Sequence, residues 1–141
     1  MLFRSVRWFQ TVNGSYTANN YNGVGLYSVS GGTLTLVASS TNDGNIWQQG
    51  SQWQSKAFSS TYSASAGIYY IAVVRNSSAQ TTAPSVGIIG SGSSTYDGTG
   101  GFDYTNNNKT FGIVSSQTTL PSTQALSGVT AQSYKMGFYL Y

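Results

Sequence analysis

The stretch from Val24 to Trp47 constrains this chain most. Two runs of strand-forming residues flank Gly31-Gly32, a dipeptide that tolerates positive φ at both central positions of a two-residue hairpin. Such a turn sets the register: Ser30 opposite Thr33, Val29 opposite Leu34, Ser28 opposite Thr35, Tyr27 opposite Leu36. Because strand side chains alternate, Tyr27, Val29, Leu34, Leu36 and Ala38 are predicted to line one face. The other face would carry the hydroxyl pairs Ser30–Thr33 and Ser28–Thr35, with Leu26–Val37 near the base. A slip of one residue would put the apolar set in water, so burial holds the register.

Further strands are predicted around this hairpin. Val6 to Val12 alternates, with Val6, Trp8, Gln10 and Val12 on one face and Arg7, Phe9 and Thr11 on the other. Tyr16 to Asn22 reads as an Asn-rich loop, and Thr41 to Asn45 as a turn around Asp43-Gly44 that leads into Ile46-Trp47. Trp53 to Phe58 reads as a short strand with Lys56 outward. Gly67 to Arg75 is apolar on both faces and is predicted to be a central strand covered on both sides. Val86 to Ile89 and Thr110 to Val114 are shorter candidates. Gly90 to Gly101 reads as a long Gly/Ser loop, and Leu120 to Ser127 as irregular. In the last strand, Ser133 to Tyr141, the residues Tyr134, Met136, Phe138 and Leu140 share a face. Many short strands between Gly, Asn and Ser turns predict an all-β fold, an antiparallel two-sheet β-sandwich with jelly-roll-like connectivity.

Composition agrees and narrows the chemistry. Of the 141 residues only 6% are charged, against roughly a quarter in an average domain, and solubility rests on neutral polar groups. Net charge is +3, but Arg4, Arg7, Lys56, Arg75, Lys109 and Lys135 are scattered. Nucleic-acid binding, which grows with the number of clustered phosphate contacts, is not expected. No apolar run approaches the ~20 residues of a membrane-spanning helix.

With neither His nor Cys in the chain, Ser-His-Asp and Cys-His catalysis and the usual zinc sites are excluded. The carboxylates are Asp43, Asp97 and Asp103. An Asp97/Asp103 acid–base pair is weighed against the reading of Asp43-Gly44 and Asp97-Gly98 as turn dipeptides, and the turn reading is preferred. A calcium site from Asp97, Asp103 and backbone carbonyls lacks a ligand spacing. The glycines between Gly90 and Gly101 lack the helix and Lys-Ser/Thr pair of a phosphate loop. The sequons at Asn13, Asn76 and Asn108 are expected by chance in so Asn- and Ser-rich a chain. No catalytic, metal or cofactor-binding residue is assigned, and the chain is read as non-enzymatic.

What remains is an abundance of Tyr, Trp, Ser, Asn and Gly. These residues make adaptable recognition surfaces, in which aromatic rings give broad contact and small polar groups give hydrogen bonds. Sugar rings suit such a surface. Trp47, Trp53, Tyr62, Tyr96 and Tyr104 lie near predicted loops and form the candidate ligand-binding set. The competing reading, preferred for Trp47 and Trp53, places them in the core beside Tyr27, Tyr70 and Phe138.

The run G-L-Y-S-V-S-G-G-T-L-T-L-V-A-S-S-T-N-D-G-N-I-W, followed by K-A-F-S-S-T-Y-S-A-S-A-G-I-Y-Y-I-A and T-T-A-P, resembles β-sandwich domains of phage and prophage tail-fibre or minor structural proteins. The likeness covers about Val6 to Pro84, and more loosely Leu120 to Ser122 through the terminal aromatic strand. It implies a domain placed distally on a fibrous virion protein, often a homotrimer, that contacts host surface polysaccharide or a protein receptor. It carries over no site motif. Other virion proteins are the partners in an alternative reading as a structural capsid or fibre decoration. A carbohydrate-binding module of a secreted bacterial protein is a third. Related chains carry sequence ahead of the Val6 strand, and Leu2-Phe3-Arg4-Ser5 matches one frame of a common sequencing-adapter end. Residues 1–5 are therefore either an adapter artefact or a genuine start, and residues 6–141 are expected to form a single domain truncated at its N-terminus.

Overall fold

Gly31 and Gly32 take the left-handed conformation that a primed hairpin turn requires, with φ of 55° and 77°, in a computed structural model of the chain. The structure describes residues 1–15, 20–76, 82, 84–86, 112–114, 116–131 and 138–141. Around that turn β2 (Gly23–Ser30) and β3 (Thr33–Ser39) pair antiparallel. The partners are those predicted: Ser30–Thr33, Val29–Leu34, Ser28–Thr35 and Tyr27–Leu36.

Nearer the base the register shifts. Leu26 pairs with Ala38, which leaves Val37 as an extra residue on β3. A bulge of this kind reverses side-chain parity beyond it. Ala38 therefore points into the same core as Val24 and Leu26, opposite to Tyr27, Val29, Leu34 and Leu36. The predicted grouping of Ala38 with those four residues, and the Leu26–Val37 pair, are both corrected by this one insertion.

Two antiparallel sheets pack face to face. In the first, β1 (Leu2–Val12) is central. Its neighbour β4 (Gln52–Ser63) runs along one edge. The other edge is shared by β10 (Phe138–Leu140), opposite Val6 to Trp8, and β6 (Ser85–Val86), opposite Gln10 and Val12. The second sheet has the order β5 (Tyr69–Val74), β2, β3, β8 (Thr123–Ala125). A small pair, β7 (Gly112–Ile113) with β9 (Thr130–Ala131), stands apart. The chain changes sheet between β1 and β2, β3 and β4, and β4 and β5, while β2 and β3 stay together as a hairpin. The result is an all-β sandwich.

Val6, Trp8, Val24, Leu26, Ala38, Ile46, Trp47 and Phe58 are buried between the sheets. Phe3, Tyr62, Tyr69, Ile71, Val73, Phe138 and Leu140 pack around them. Phe138 and Leu140 share the core-facing side of β10 as predicted, whereas Tyr134 and Met136 lie outside the described residues. Phe3 reaches this core because β1 bulges at Arg4 and Ser5, whose amides both donate to the Tyr141 carbonyl. The outer face of the second sheet is also covered. Tyr27, Leu34 and Val129 are buried there, with Val29, Leu36, Tyr70, Ala72, Val114, Leu120 and Leu126 packed against them.

The covering segment is the one read as irregular. It supplies β8, a 3-10 turn at Leu126–Gly128, and Pro121, whose carbonyl accepts from the Tyr27 hydroxyl at 2.6 Å. Burial pushes the Tyr27 pKa up to about 12, so that hydroxyl stays a donor. Leu120 lies so close to β2 that a Cβ at Gly25 would sit 2.8 Å from its Cδ1, which explains the glycine in mid-strand. β5 is covered on both faces as predicted, but among the described residues it ends its sheet rather than occupying the centre.

One end of the sandwich is closed by a buried polar knot. Asp43 caps a 3-10 turn over Gly44–Trp47 by accepting from the Asn45 amide at 3.1 Å. The turn expected around Asp43-Gly44 is thus a 3-10 turn that takes in Ile46 and Trp47. Trp47 packs on Trp8 with ring centroids 5.7 Å apart. Its Nε1 donates to Asn22 Oδ1 at 3.1 Å. Asn22 is wholly buried, and each of its polar groups is engaged. Oδ1 also accepts from the Asn76 amide at 2.9 Å, while Nδ2 donates to the Asn20 and Asn76 carbonyls at 3.0 and 3.4 Å. Its own amide donates to Asn42 Oδ1 at 2.7 Å, and its carbonyl accepts from the Asp43 amide at 2.9 Å. Gln10, buried below Trp8, donates to the Trp47 carbonyl at 2.7 Å. Lys56 does not point outward as predicted. It shares the core-facing side of β4 with Phe58 and pairs with Asp43 at 2.9 Å.

Two predictions follow from this knot. Asn22→Ala strands the Trp47 indole and the Asn76 amide without acceptors and should cost about 3 to 5 kcal/mol in urea unfolding. Asn22→Asp, which aims a carboxylate at two carbonyls, should cost at least as much. Separately, Lys56 holds the Asp43 carboxyl below its usual value of 3.8. A carboxylate depressed in the fold stabilises above its unfolded pKa, and that stability is lost as pH falls through the folded value. The stability gap between wild type and Asp43→Asn should be constant above about pH 5 and close below pH 3.8.

Candidate functional site

Alternation along β1 puts Val6, Trp8 and Gln10 in the core, so Arg7 and Phe9 face outward on the first sheet. Arg7 lies opposite Ser55 on β4 and Tyr139 on β10, and Phe9 lies opposite Trp53. These residues form an aromatic row across the three strands. Trp53 meets Phe9 edge-on at 5.6 Å between centroids and reaches Tyr139 at 5.8 Å. The Arg7 guanidinium carbon lies 4.7 Å from the Trp53 ring centroid and 5.8 Å from that of Tyr141. An Arg7 N–H donates to the Tyr141 hydroxyl.

The row is half open to solvent. Trp53 and Tyr139 are each 48% exposed and Tyr141 54%, unusual for adjacent large aromatics. Ser5, Arg7, Trp53, Gln54, Ser55 and Tyr141 border a shallow depression of about 320 Å³. It adjoins a second, of about 440 Å³, against Tyr139 and Leu140. The arrangement offers ring faces and edges, hydroxyls and one cation on a rigid sheet. Among the described residues it offers no acid–base pair. Asp43, the carboxylate side chain among the described residues, is occupied by Lys56 and the Asn45 amide elsewhere.

Of the residues proposed from sequence, Trp53 is in this row, and its preferred placement in the core is corrected: it lies opposite Phe9 on the outward parity of β4 and is half exposed. Trp47 is buried between Trp8 and Asn22 and presents no surface to a ligand. Tyr62 packs at the opposite end of the core, 5.9 Å from the Tyr69 ring. Tyr96 and Tyr104 lie outside the described residues, as do Asp97, Asp103 and the Gly90 to Gly101 loop. The set does not converge on one site. Arg7, Phe9, Tyr139 and Tyr141 fall outside the sequence-derived set because they lie on or beside strands rather than predicted loops. The signal was present: they occupy the outward parity of the first and last strands, where an alternating strand usually carries small polar residues.

No protein-family profile, curated protein or solved structure matches the chain. Among the described residues, no helix is long and apolar enough to cross a membrane.

Trp8 and Trp47 are sealed in the core while Trp53 is half exposed. Iodide, an anion drawn toward Arg7, should therefore quench one tryptophan, and Trp53→Phe should abolish the quenchable component. Quenching that persists in Trp53→Phe would show that the core tryptophans are accessible.

Proposed function

We propose that this chain is a non-catalytic binding domain whose recognition surface is the outward face of β1, β4 and β10, and that its ligand is a bacterial surface glycan. The observation that carries the reading is the half-exposed Trp53, Tyr139 and Tyr141 with Arg7 laid against them on a flat sheet. Aromatic faces stack on the C–H faces of sugar rings, while the guanidinium and the Tyr141 and Ser55 hydroxyls suit the sugar's polar edge. The absence of His and Cys from the sequence and the engagement of Asp43 support a non-enzymatic role. The setting we propose is extracellular, at the tip of a phage fibre, in line with the resemblance of the Gly25 to Trp47 run to such domains. Homotrimeric display would multiply weak single-site affinities.

One observation also favours a second reading. Trp, Tyr and Arg are the residues that dominate protein–protein contacts. The same face could pack against another virion protein in a structural decoration role.

Binding of purified capsular and O-antigen polysaccharides to a trimerised form of the domain separates the two. The glycan reading expects saturable binding that Trp53→Ala weakens about tenfold or more, with the melting temperature within a few degrees of wild type. No binding to any polysaccharide, with capture of a virion protein through the same face, would overturn it in favour of the second.

A further inference from the structure

Arg7 is the fixed cation of the aromatic row, and its charge is not spent inside the fold. Among the described residues no carboxylate lies within ion-pair distance of it. The salt bridge found there, Lys56–Asp43, is on the core-facing side of the same sheet. Arg7 is instead held by its neighbours. One N–H is taken by the Tyr141 hydroxyl, and the guanidinium lies against the Trp53 and Tyr141 rings. A guanidinium carries five N–H donors, so this one retains an unused pair side by side, the geometry that accepts a carboxylate in bidentate fashion. Stacking removes much of the rotamer freedom that a surface arginine would otherwise lose on binding. The neutral lining residues Ser5 and Ser55 add hydroxyls without a competing charge.

We propose that the ligand of this surface is an acidic glycan, recognised through a sugar carboxylate that docks on Arg7 while the ring stacks on the exposed aromatics beside it. The inference rests on the glycan reading above and deepens it. A neutral glycan would leave the arginine's charge unmatched, and an acidic peptide would leave the aromatic row without a ring face to stack on.

The test uses the full chain, trimerised, with polygalacturonate and polysialate oligomers as probes, each beside its methyl ester. Esterification removes the charge and keeps the ring. Wild type should bind at least one of the acids about 10- to 100-fold more tightly than its ester. Arg7→Gln should bring that ratio close to one. Arg7→Lys, which keeps the charge but loses the fork, should fall between, and all three proteins should melt alike. Equal binding of acid and ester by wild type would overturn the carboxylate inference. So would failure of both acids while neutral polysaccharides bind in a Trp53-dependent way, which leaves the glycan reading standing. Binding of a tetraglutamate peptide as tightly as the acid would overturn the sugar requirement. Failure of every acidic and neutral glycan would overturn both readings.

Discussion

A buried amide with every hydrogen-bonding group satisfied is the constraint on which the rest of this sandwich depends. Asn22 sits where the chain enters β2 and ties together the Gly44–Trp47 turn, Asn76 just beyond β5 and the Asn42-Asp43 segment. A buried polar network that is complete in this way specifies one arrangement, because any shift of a member leaves an unpaired group in a low-dielectric interior. Through Trp47 the constraint reaches Trp8 and Gln10, and so fixes which side of β1 faces inward. Parity then does the rest. With Val6, Trp8 and Gln10 held inside, Arg7 and Phe9 have only the outer face to occupy.

The two sheets differ in how their outer faces are treated, and that difference is the basis for the proposed recognition face. The second sheet carries apolar residues on both faces, and Val114, Leu120, Leu126 and Val129 cover its outer face. The first sheet keeps its outer face in contact with solvent, yet furnishes it with Trp53, Tyr139 and Tyr141. Large rings left half exposed beside a covered sheet are a cost in folding terms. The sandwich can hold them rigidly because their strands are anchored from beneath by Trp8, Phe58, Phe138 and Leu140. A recognition surface on strands rather than loops is preorganised, and so loses little entropy when it binds.

The hairpin was legible because its turn chemistry and its alternation agree, and both are local. The single-residue bulge at Val37 was not, since Leu36-Val37-Ala38 carries no glycine to mark it, and the mid-strand Gly25 on the partner strand is accounted for by the close approach of Leu120. The bulge inverted the placement of Ala38. Segment 120–127 looked irregular because its apolar residues, Leu120 and Leu126, are spaced to cover a sheet built elsewhere in the chain, a relation no local pattern records. Asn22 read as loop composition, and only the folded chain brings Asn76 and Trp47 to it. Lys56 read as outward on charge alone, but Asp43 receives it at the rim of the core. The proposed recognition face was half legible. The strand alternation identified Arg7 and Phe9 as a face, and Trp53 was among the candidates. Their meeting with Tyr139 and Tyr141 depends on β10 closing beside β1, a pairing across nearly the whole chain.

Ligand is proposed to meet the outer face of β1, β4 and β10. The most direct measurement is a two-dimensional NMR titration of the labelled domain with fragments of a bound bacterial polysaccharide. The three tryptophan indole signals serve as internal controls. The Trp53 indole and the amides around Arg7, Ser55 and Tyr139 should shift together, while the Trp8 and Trp47 indoles stay in place. Shifts confined to the Gly31-Gly32 tip and the surface around Leu120 and Leu126, with Trp53 unmoved, would contradict that placement of the ligand.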